Sequence, residues 1–302
     1  MSGSLIPRCS RYDYLPITRR QNFSWPDGKR LAFCVTTNIE VFGYWAGSGA
    51  DPGRVDAPQT QRNYAWRDYG LRIGVWRLFD MADELQLPLA HNLNSLLYDL
   101  TPDIPNAIRK RGDEFVGHGR TNAEAGRPLW EADEARNLQE VNDIFLKHEG
   151  RIPSGWMSPG GGQSPVTTDL LKEAGYRYVL DWPMDDQPVW LRTRAGPLLS
   201  VPYPIEVNDM GAVIVRHESA DGFANMITDQ FEEMIRQCEH NPLVMNVSVH
   251  PFIMGQPFRL QRLRRALEHC RRHAQRDRVW WTRPGAIADF CYGLPAGTVP
   301  GS

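Results

Sequence analysis

The chain has 302 residues, of which 41% are hydrophobic and 23% charged. This composition is typical of a globular protein with a sizeable core, and it excludes a largely disordered chain. The formal net charge of −2 argues against nucleic acid or an anionic membrane as a partner.

The cysteines and the N-terminal stretch bear on the cellular compartment. The five cysteines lie far apart and include no Cys-x-x-Cys pair, which argues against a disulfide framework or a zinc knuckle. The stretch "MSGSLIPRCSRYDYLP" lacks the apolar segment of a signal peptide. No apolar run approaches the roughly 18 residues that a membrane span needs. We therefore expect a cytoplasmic protein.

Segments typical of strands and helices alternate along the whole chain. The predicted strands are RLAFCVTTN (30–38), LPLAHNLN (87–94), EFVGH (114–118), SGWMSP (154–159), YRYVLDW (176–182), PLLSVPY (197–203), AVIVRH (212–217), PLVMNVSVH (242–250) and VWW (279–281). The predicted helices cover residues 66–85, 106–113, 130–148, 164–175, 221–240, 259–278 and 282–291.

The boundaries of these elements follow from glycines, prolines and capping residues. The segment from Glu40 to about Asn63 is broken by glycine and proline, so we predict a loop there. Gly150 is the expected glycine after the long helix, and Asp221 is the expected N-cap of a later one. The Arg-rich helix 259–278 carries an apolar stripe, which indicates a solvated helix face rather than a nucleic-acid surface.

The alternation of strands and helices favours an α/β fold, a parallel sheet or barrel with helices outside. No segment resembles a linker. We predict one catalytic domain over residues 1–302, with polar tails at about 1–24 and 293–302.

Polar residues stand at or just beyond several predicted strand ends. In parallel sheets and barrels, functional groups gather at the carboxyl ends of the strands. The sequence therefore predicts one pocket that collects side chains from several strands. The residues at these ends are Asn38, Glu40, His91, Asn92, His118, Trp182, Asp185, Asp186 and His250.

The order of seven motifs resembles the NodB-type polysaccharide deacetylase superfamily. It is most similar to the cytoplasmic branch that contains cofactor-independent allantoinases and cyclic-imide hydrolases. The resemblance runs from about Trp25 to Cys291 and implies a single-domain distorted (β/α) barrel. The motifs are TTNIEVFGYW, GVWRL, EFVGHGRTN, SGWMSPG, DWPMDDQP, PYPIEVND and VSVHPFIMGQPFR.

The resemblance also implies which positions correspond to a metal site. Metal-dependent members carry an Asp-x-Asp-like pair, whose first carboxylate is the base, and a His-x-x-x-His pair. The matching residues are Asn38 with Glu40 and His118 with Asn122. An amide cannot serve as a base, and Glu, His and Asn make a poor zinc site. We expect no required cofactor, and the open alternative is a weakly bound divalent ion such as zinc on Glu40, His118 and Asn122.

Glu40 is the candidate base, because it is the only carboxylate at the end of the first predicted strand. His118 and His250 are expected to position water, polarise the carbonyl or protonate the leaving nitrogen. The expected substrate-binding residues are Asn38, Asn122, Trp182, Asp186 and Glu206. The structural alternative is a satisfied structural histidine for His118, an exposed loop glutamate for Glu40 and a strand end for His250. For Asn122 it is a turn-capping asparagine, and for Trp182, Asp186 and Glu206 it is a surface turn.

The function that these residues favour is hydrolysis of a cyclic amide, an imide or ureide ring, by water attack on a ring carbonyl. An imide carbonyl is more electrophilic than a plain amide carbonyl, and its nitrogen leaves more readily, so a strong Lewis acid is not needed. Two alternatives stay open: a metal-dependent deacetylase of N-acetylated sugars, and a non-catalytic small-ligand-binding descendant of the fold. The aromatic segment FGYWAGSG (42–49) is expected to pack against a partner subunit in a homo-oligomer.

Overall fold

The computed structural model describes residues 8–45, 48–51, 54–124 and 129–301, with the backbone alone for 48–51 and 54–58. Its strands are β1 Leu31–Ile39, β2 Ser48–Asp51, β3 Arg54–Pro58, β4 Leu89–Leu93, β5 Glu114–Gly117, β6 Gly155–Trp156, β7 Tyr178–Val179, β8 Val189–Leu191, β9 Leu198–Ser200, β10 Leu243–Val249 and β11 Val279–Trp281. Its α-helices are α1 Gln61–Tyr69, α2 Val75–Glu84, α3 Leu97–Leu100, α4 Asp103–Arg111, α5 Glu131–Glu149, α6 Thr167–Glu173, α7 Ala220–Gln237, α8 Pro251–Met254, α9 Pro257–Arg272 and α10 Pro284–Tyr292.

The main sheet is a curled, almost entirely parallel sheet that forms a distorted barrel. Its strand order is β10-β1-β4-β5-β6-β7-β9-β8, with β11 also paired to β1, and only β8 and β9 run antiparallel. Loop segments bridge the gap between the β9 side and β10. Ser248 N donates to Val207 O (3.0 Å), and Val244 N donates to Asp186 O (2.8 Å). The predicted barrel is therefore confirmed, with one side of its wall closed by loops.

Both faces of the central strand are buried, which explains its continuous apolar sequence. Leu31, Phe33 and Val35 of β1 belong to the apolar layer between the sheet and helices α2, α7 and α9. Ala32 and Cys34 belong to a second apolar cluster on the other face, with residues of α10. Because successive side chains of a strand alternate, Asn38 lies on this second face.

The predicted helix 66–85 consists of α1, a π-helical turn and α2. The π turn covers Gly70–Gly74, and the predicted apolar face is buried in α2. A Cβ atom at Gly74 would collide with the carbonyl oxygen of Pro251, and one at Gly70 would lie 2.7 Å from Phe252 N. Glycine thus lets this helix backbone contact the chain directly after His250.

Three local predictions are wrong. The segment 212–217 is not a strand, because residues Met210–Val215 form a second π-helical turn. Its apolar run is buried as expected, but a short apolar run suits a buried helical turn equally well. The N-cap of α7 is Ser219, whose side chain accepts from Gly222 N, and not Asp221. The predicted loop 40–63 contains the antiparallel β2–β3 pair and the start of α1.

Both predicted tails contact the body of the protein in their described parts. Arg11 forms an ion pair with Asp169 (2.6 Å). Trp190 N donates to Pro300 O (2.8 Å). All five cysteines lie in the described ranges, and none forms a disulfide.

Two further findings concern the surface. Among the described residues, the helices are all too short or too polar to cross a lipid bilayer. Tyr44 and Trp45, in the aromatic segment expected at a subunit interface, are exposed. Residues 46 and 47 of that segment lie outside the described residues. The homo-oligomer stays a prediction.

Gly74→Ala tests the close contact between the π turn and the chain after His250. We expect a loss of about 1–3 kcal/mol in the free energy of unfolding, because the new methyl group meets backbone that cannot move aside. Denaturant unfolding of Gly74→Ala beside Gly293→Ala measures it. A Cβ atom at Gly293 would be 3.4 Å from Phe290 O, an ordinary contact, so this control should change by less than about 1 kcal/mol. Equal stabilities would contradict the clash.

Candidate active site

The site is centred on Glu40, the residue directly after β1. Its side chain is buried, and three other side chains meet its Oε1 atom. The distances are 2.6 Å from Asn122 Nδ2, 3.4 Å from His118 Nε2 and 3.6 Å from His250 Nε2. The structure thus brings together four of the predicted site residues, from the ends of β1, β5 and β10.

His250 is oriented by a buried carboxylate that the sequence analysis did not single out. Asp209 Oδ1 lies 2.6 Å from His250 Nδ1, and Asp209 Oδ2 accepts from the His250 backbone N–H at 2.7 Å. Because Nδ1 carries the proton that bonds Asp209, Nε2 is the atom that faces Glu40. The only signal in the sequence was that Asp209 closes the PYPIEVND motif.

The charges of Asp209 and Glu40 hold His250 in its protonated form. Burial alone would lower the pKa of His250, but the two carboxylates raise it from 6.5 to about 10. The imidazolium therefore stabilises the fold fully below pH 6.5, and this contribution is lost as the pH rises through about 10. At neutral pH the site contains a buried acid with its proton directed at Glu40.

Glu40 itself is held ionised. Burial would raise the pKa of its carboxyl, but the charge of His250 and the hydrogen bond with His118 lower it to about 2. Its Oε2 atom is buried and has no hydrogen-bond partner among the described residues. This oxygen is the acceptor that remains for a water molecule or a substrate.

His118 is oriented through the loop after β6. Its Nδ1 atom lies 2.7 Å from the carbonyl oxygen of Met157, so Nδ1 donates and Nε2 faces Glu40. Asp181 anchors this loop, because it accepts from Ser158 N (2.7 Å) and Ser158 Oγ (2.8 Å). Burial raises the pKa of Asp181 to about 6. The position of His118 thus depends on a carboxylate from the end of β7.

The orientation of Asn122 is set by Asn94. Asn94 Oδ1 accepts from Val41 N (2.8 Å), and its Nδ2 donates to the carbonyl oxygen of His118. Both partners are backbone groups, so the Asn94 amide cannot be reversed. Asn94 Nδ2 also donates to Asn122 Oδ1 (3.1 Å), which turns the Asn122 nitrogen towards Glu40.

Comparison with known proteins shows which proteins the chain is similar to. No family model matches the sequence. The crystal structure of the allantoinase PuuE is 26% identical, with a TM-score of 0.81 over 89% of this chain and 93% of that chain. A Schizosaccharomyces pombe protein named as a polysaccharide deacetylase is 24% identical over 85% of this chain and 88% of its own length. The peptidoglycan deacetylase of Helicobacter pylori is 20% identical over 86% and 96%.

These similarities support the resemblance of the chain to the NodB-type polysaccharide deacetylase superfamily, close to allantoinase. Members of this superfamily are hydrolases, and the similarity to an allantoinase agrees with the branch that the motifs indicated.

The residues at the family's metal positions do not fit a divalent ion. A metal ligand at position 122 would need to present an oxygen or an imidazole nitrogen. Asn122 instead presents its NH₂ group to Glu40, and its oxygen is bonded to Asn94. Among the described residues, no group of three or more His, Cys, Asp and Glu side chains is placed to hold a metal ion.

Asn38, at the position of the family's base, is saturated with hydrogen bonds. Its Nδ2 donates to Ser248 Oγ (2.9 Å) and Val249 O (3.5 Å). Its Oδ1 accepts from Asn92 Nδ2 (2.8 Å) and Tyr203 OH (3.0 Å). Asn38 therefore connects β1 with β4, β10 and the segment after β9. Both groups of its side-chain amide are already hydrogen-bonded within the protein.

The other three predicted substrate-binding residues are not part of the Glu40 cluster, which consists of Glu40, His118, Asn122 and His250. Asp186 and Glu206 line a cavity of about 460 Å³ in the loop-closed side of the barrel wall. Tyr203, whose hydroxyl bonds Asn38, lines the same cavity. Trp182 is half-buried, and its Nε1 has no partner among the described residues. Glu206 is exposed and pairs with Arg216 (3.1 Å).

Asp209→Asn tests the charge pairing at His250. Because Asp209 contributes most to raising the pKa of His250, we expect that pKa to fall from about 10 towards its ordinary value. NMR titration of the imidazole resonances measures the shift. Asp113→Asn is the matched control, because Asp113 pairs with the buried His91 (3.2 Å) elsewhere in the fold. An unchanged His250 titration in Asp209→Asn would contradict the pairing.

Proposed function

We propose that this protein is a hydrolase that opens a cyclic amide, an imide or ureide ring, by water attack on a ring carbonyl. One observation carries the proposal: a buried imidazolium, His250, faces an ionised carboxylate, Glu40. The side-chain amide of Asn122 donates a hydrogen bond to the same carboxylate. This arrangement supplies an acid, a base and a neutral donor. The similarity to an allantoinase, at 26% identity, supports the same class of substrate.

Glu40 is the proposed base. Its Oε2, which has no hydrogen-bond partner within the described part of the chain, accepts a proton from the attacking water. A carboxyl with a pKa of about 2 is a weak base in the free protein, because His250 stabilises its charge. As negative charge develops on the carbonyl oxygen, it offsets the positive charge of His250, and the proton affinity of Glu40 rises. The base therefore becomes stronger as the transition state forms.

His250 is the proposed acid. Its Nε2–H first stabilises the oxyanion and then delivers a proton to the leaving nitrogen. The water oxygen forms a bond to the carbonyl carbon, one water proton passes to Glu40, and the ring carbon–nitrogen bond breaks. The new carboxyl ionises, and the proton held by Glu40 returns to His250. One ring and one water thus give one amide carboxylate and one released proton.

The substrate class follows from the chemistry that these residues offer. Hydrogen-bond donors and an imidazolium stabilise an oxyanion less strongly than a metal ion does, so the substrate must be activated. A ring imide meets this requirement, because its carbonyl is electrophilic and its nitrogen is a good leaving group. The acetamide of an N-acetylated sugar is not activated in this way.

A metal-dependent deacetylase of N-acetylated sugars is the second candidate. It is favoured by the names of the Schizosaccharomyces pombe and Helicobacter pylori relatives. It requires an ion at Glu40, His118 and Asn122, where the orientation of the Asn122 amide is unfavourable.

Assays of the purified protein on succinimide, glutarimide, allantoin and an acetylated chitooligomer separate the candidates. We expect ring opening of at least one cyclic substrate, with a rate that a chelator leaves unchanged, because no proposed step uses a metal. Hydrolysis of the chitooligomer alone, abolished by the chelator, would establish the deacetylase instead. Binding of a ring without turnover of any substrate would indicate the non-catalytic descendant.

Glu40→Gln and His250→Gln should each lower kcat by at least about 10²-fold, since each removes one proton-transfer partner. Steady-state kinetics on the cyclic substrate measures the loss. Glu114→Gln is a matched control, because Glu114 also accepts buried bonds, from Tyr178 OH (2.8 Å) and Gly285 N (3.0 Å), outside the Glu40 cluster. Near-normal kcat in Glu40→Gln would remove Glu40 from the mechanism.

A further inference from the structure

Arg67 is a buried cation of α1 that has no part in the steps described above. Its side chain is 5% exposed. The guanidinium carbon lies 3.6 Å from the centroid of the Phe42 ring, so the guanidinium stacks on an aromatic face. Such stacking occupies the face of the group and directs its N–H donors along its plane.

This cation belongs to the surroundings of the Glu40 cluster. The Phe42 and Phe252 rings pack edge to face, with their centroids 6.5 Å apart. The Phe252 ring in turn packs against the His250 ring, at a centroid distance of 5.6 Å. Burial lowers the pKa of Arg67 to about 10, and the charge of Glu40 opposes this decrease. Arg67 therefore remains charged at neutral pH and interacts electrostatically with the proposed base.

Ring opening creates a negative charge where none existed in the substrate. A neutral ring becomes a carboxylate, and one of its two oxygens is the former carbonyl oxygen that carried the charge of the preceding oxyanion. A charge that forms in a buried site is stabilised by hydrogen-bond donors and positive charges that are already in position. Arginine suits a carboxylate, because its planar donors bind both oxygens at once.

We propose that Arg67 binds the oxyanion and then the carboxylate that ring opening produces. This assignment rests on the proposed function. It makes the site selective for an anionic, ring-opened amide over the neutral diamide of the same length. Phe42 is the positioning residue, because its ring holds the guanidinium plane.

Isothermal titration calorimetry of two probes tests the assignment directly. The probes are succinamate, the carboxylate that succinimide would give, and succinamide, its neutral analogue. We expect the wild type to bind succinamate at least about 10-fold more tightly, and Arg67→Ala to lose this preference. Arg67→Lys should keep part of it, since the charge remains but the planar donors do not. The control Arg72→Gln removes an exposed arginine of the adjoining π turn and should leave the preference unchanged.

Kinetics on the cyclic substrate separate binding of charge from a purely structural role. Arg67→Ala should lower kcat/KM by about 10²-fold or more, with recovery on addition of free guanidinium ion, which no merely structural role would produce. If Arg67→Ala does not fold, the reduced preference of Arg67→Lys and a smaller loss in Phe42→Leu decide the question.

The outcomes distinguish this assignment from the proposed function. Absence of ring opening by the wild type would refute the proposed function, while the calorimetric preference would still test Arg67 as an anion site. A wild type that does not discriminate between the two probes would overturn the role of Arg67. So would an Arg67→Ala protein that keeps the preference.

Discussion

Oxygen Oε1 of Glu40 is the point on which the architecture of the site depends. A carboxylate can be kept ionised in a buried position only if charges and hydrogen bonds compensate for its lost hydration. Here His250, His118 and Asn122 supply that compensation, from different strand ends. Each of the three is in turn oriented by a partner of its own: Asp209, Met157 and Asn94.

Two departures from the family's pattern, Asn38 and Asn122, both affect the surroundings of Glu40. With Asn at position 38, the first strand end bears no carboxylate there, and its amide joins Asn92, Tyr203 and Ser248 in an uncharged network. With Asn at position 122, Glu40 gains a hydrogen-bond donor. The remaining carboxylate then faces an imidazolium, which is a setting for proton transfer.

The sequence pattern predicted a parallel sheet or barrel with functional residues at its strand ends, because apolar runs and strand–helix alternation are local in the chain. The family resemblance implied the distorted barrel itself. Buried strands appear as apolar runs, and parallel strands bring their ends to one edge, so Glu40, His118 and His250 were expected together. The π-helical turn Met210–Val215 was missed, because its short apolar run has no period that separates strand from helix. Asp209 and Asn94 were missed as well, since their importance lies in contacts between residues far apart in sequence.

The arrangement around Asn94 has a consequence for protein engineering. Its amide is held by a backbone N–H on one side and a backbone carbonyl on the other, and its remaining hydrogen points at position 122. A histidine introduced there to build the ion site of metal-dependent deacetylases would meet an NH₂ group that cannot turn away. Redesign of this barrel as a metalloenzyme would therefore have to replace Asn94 before a metal ligand is introduced at position 122.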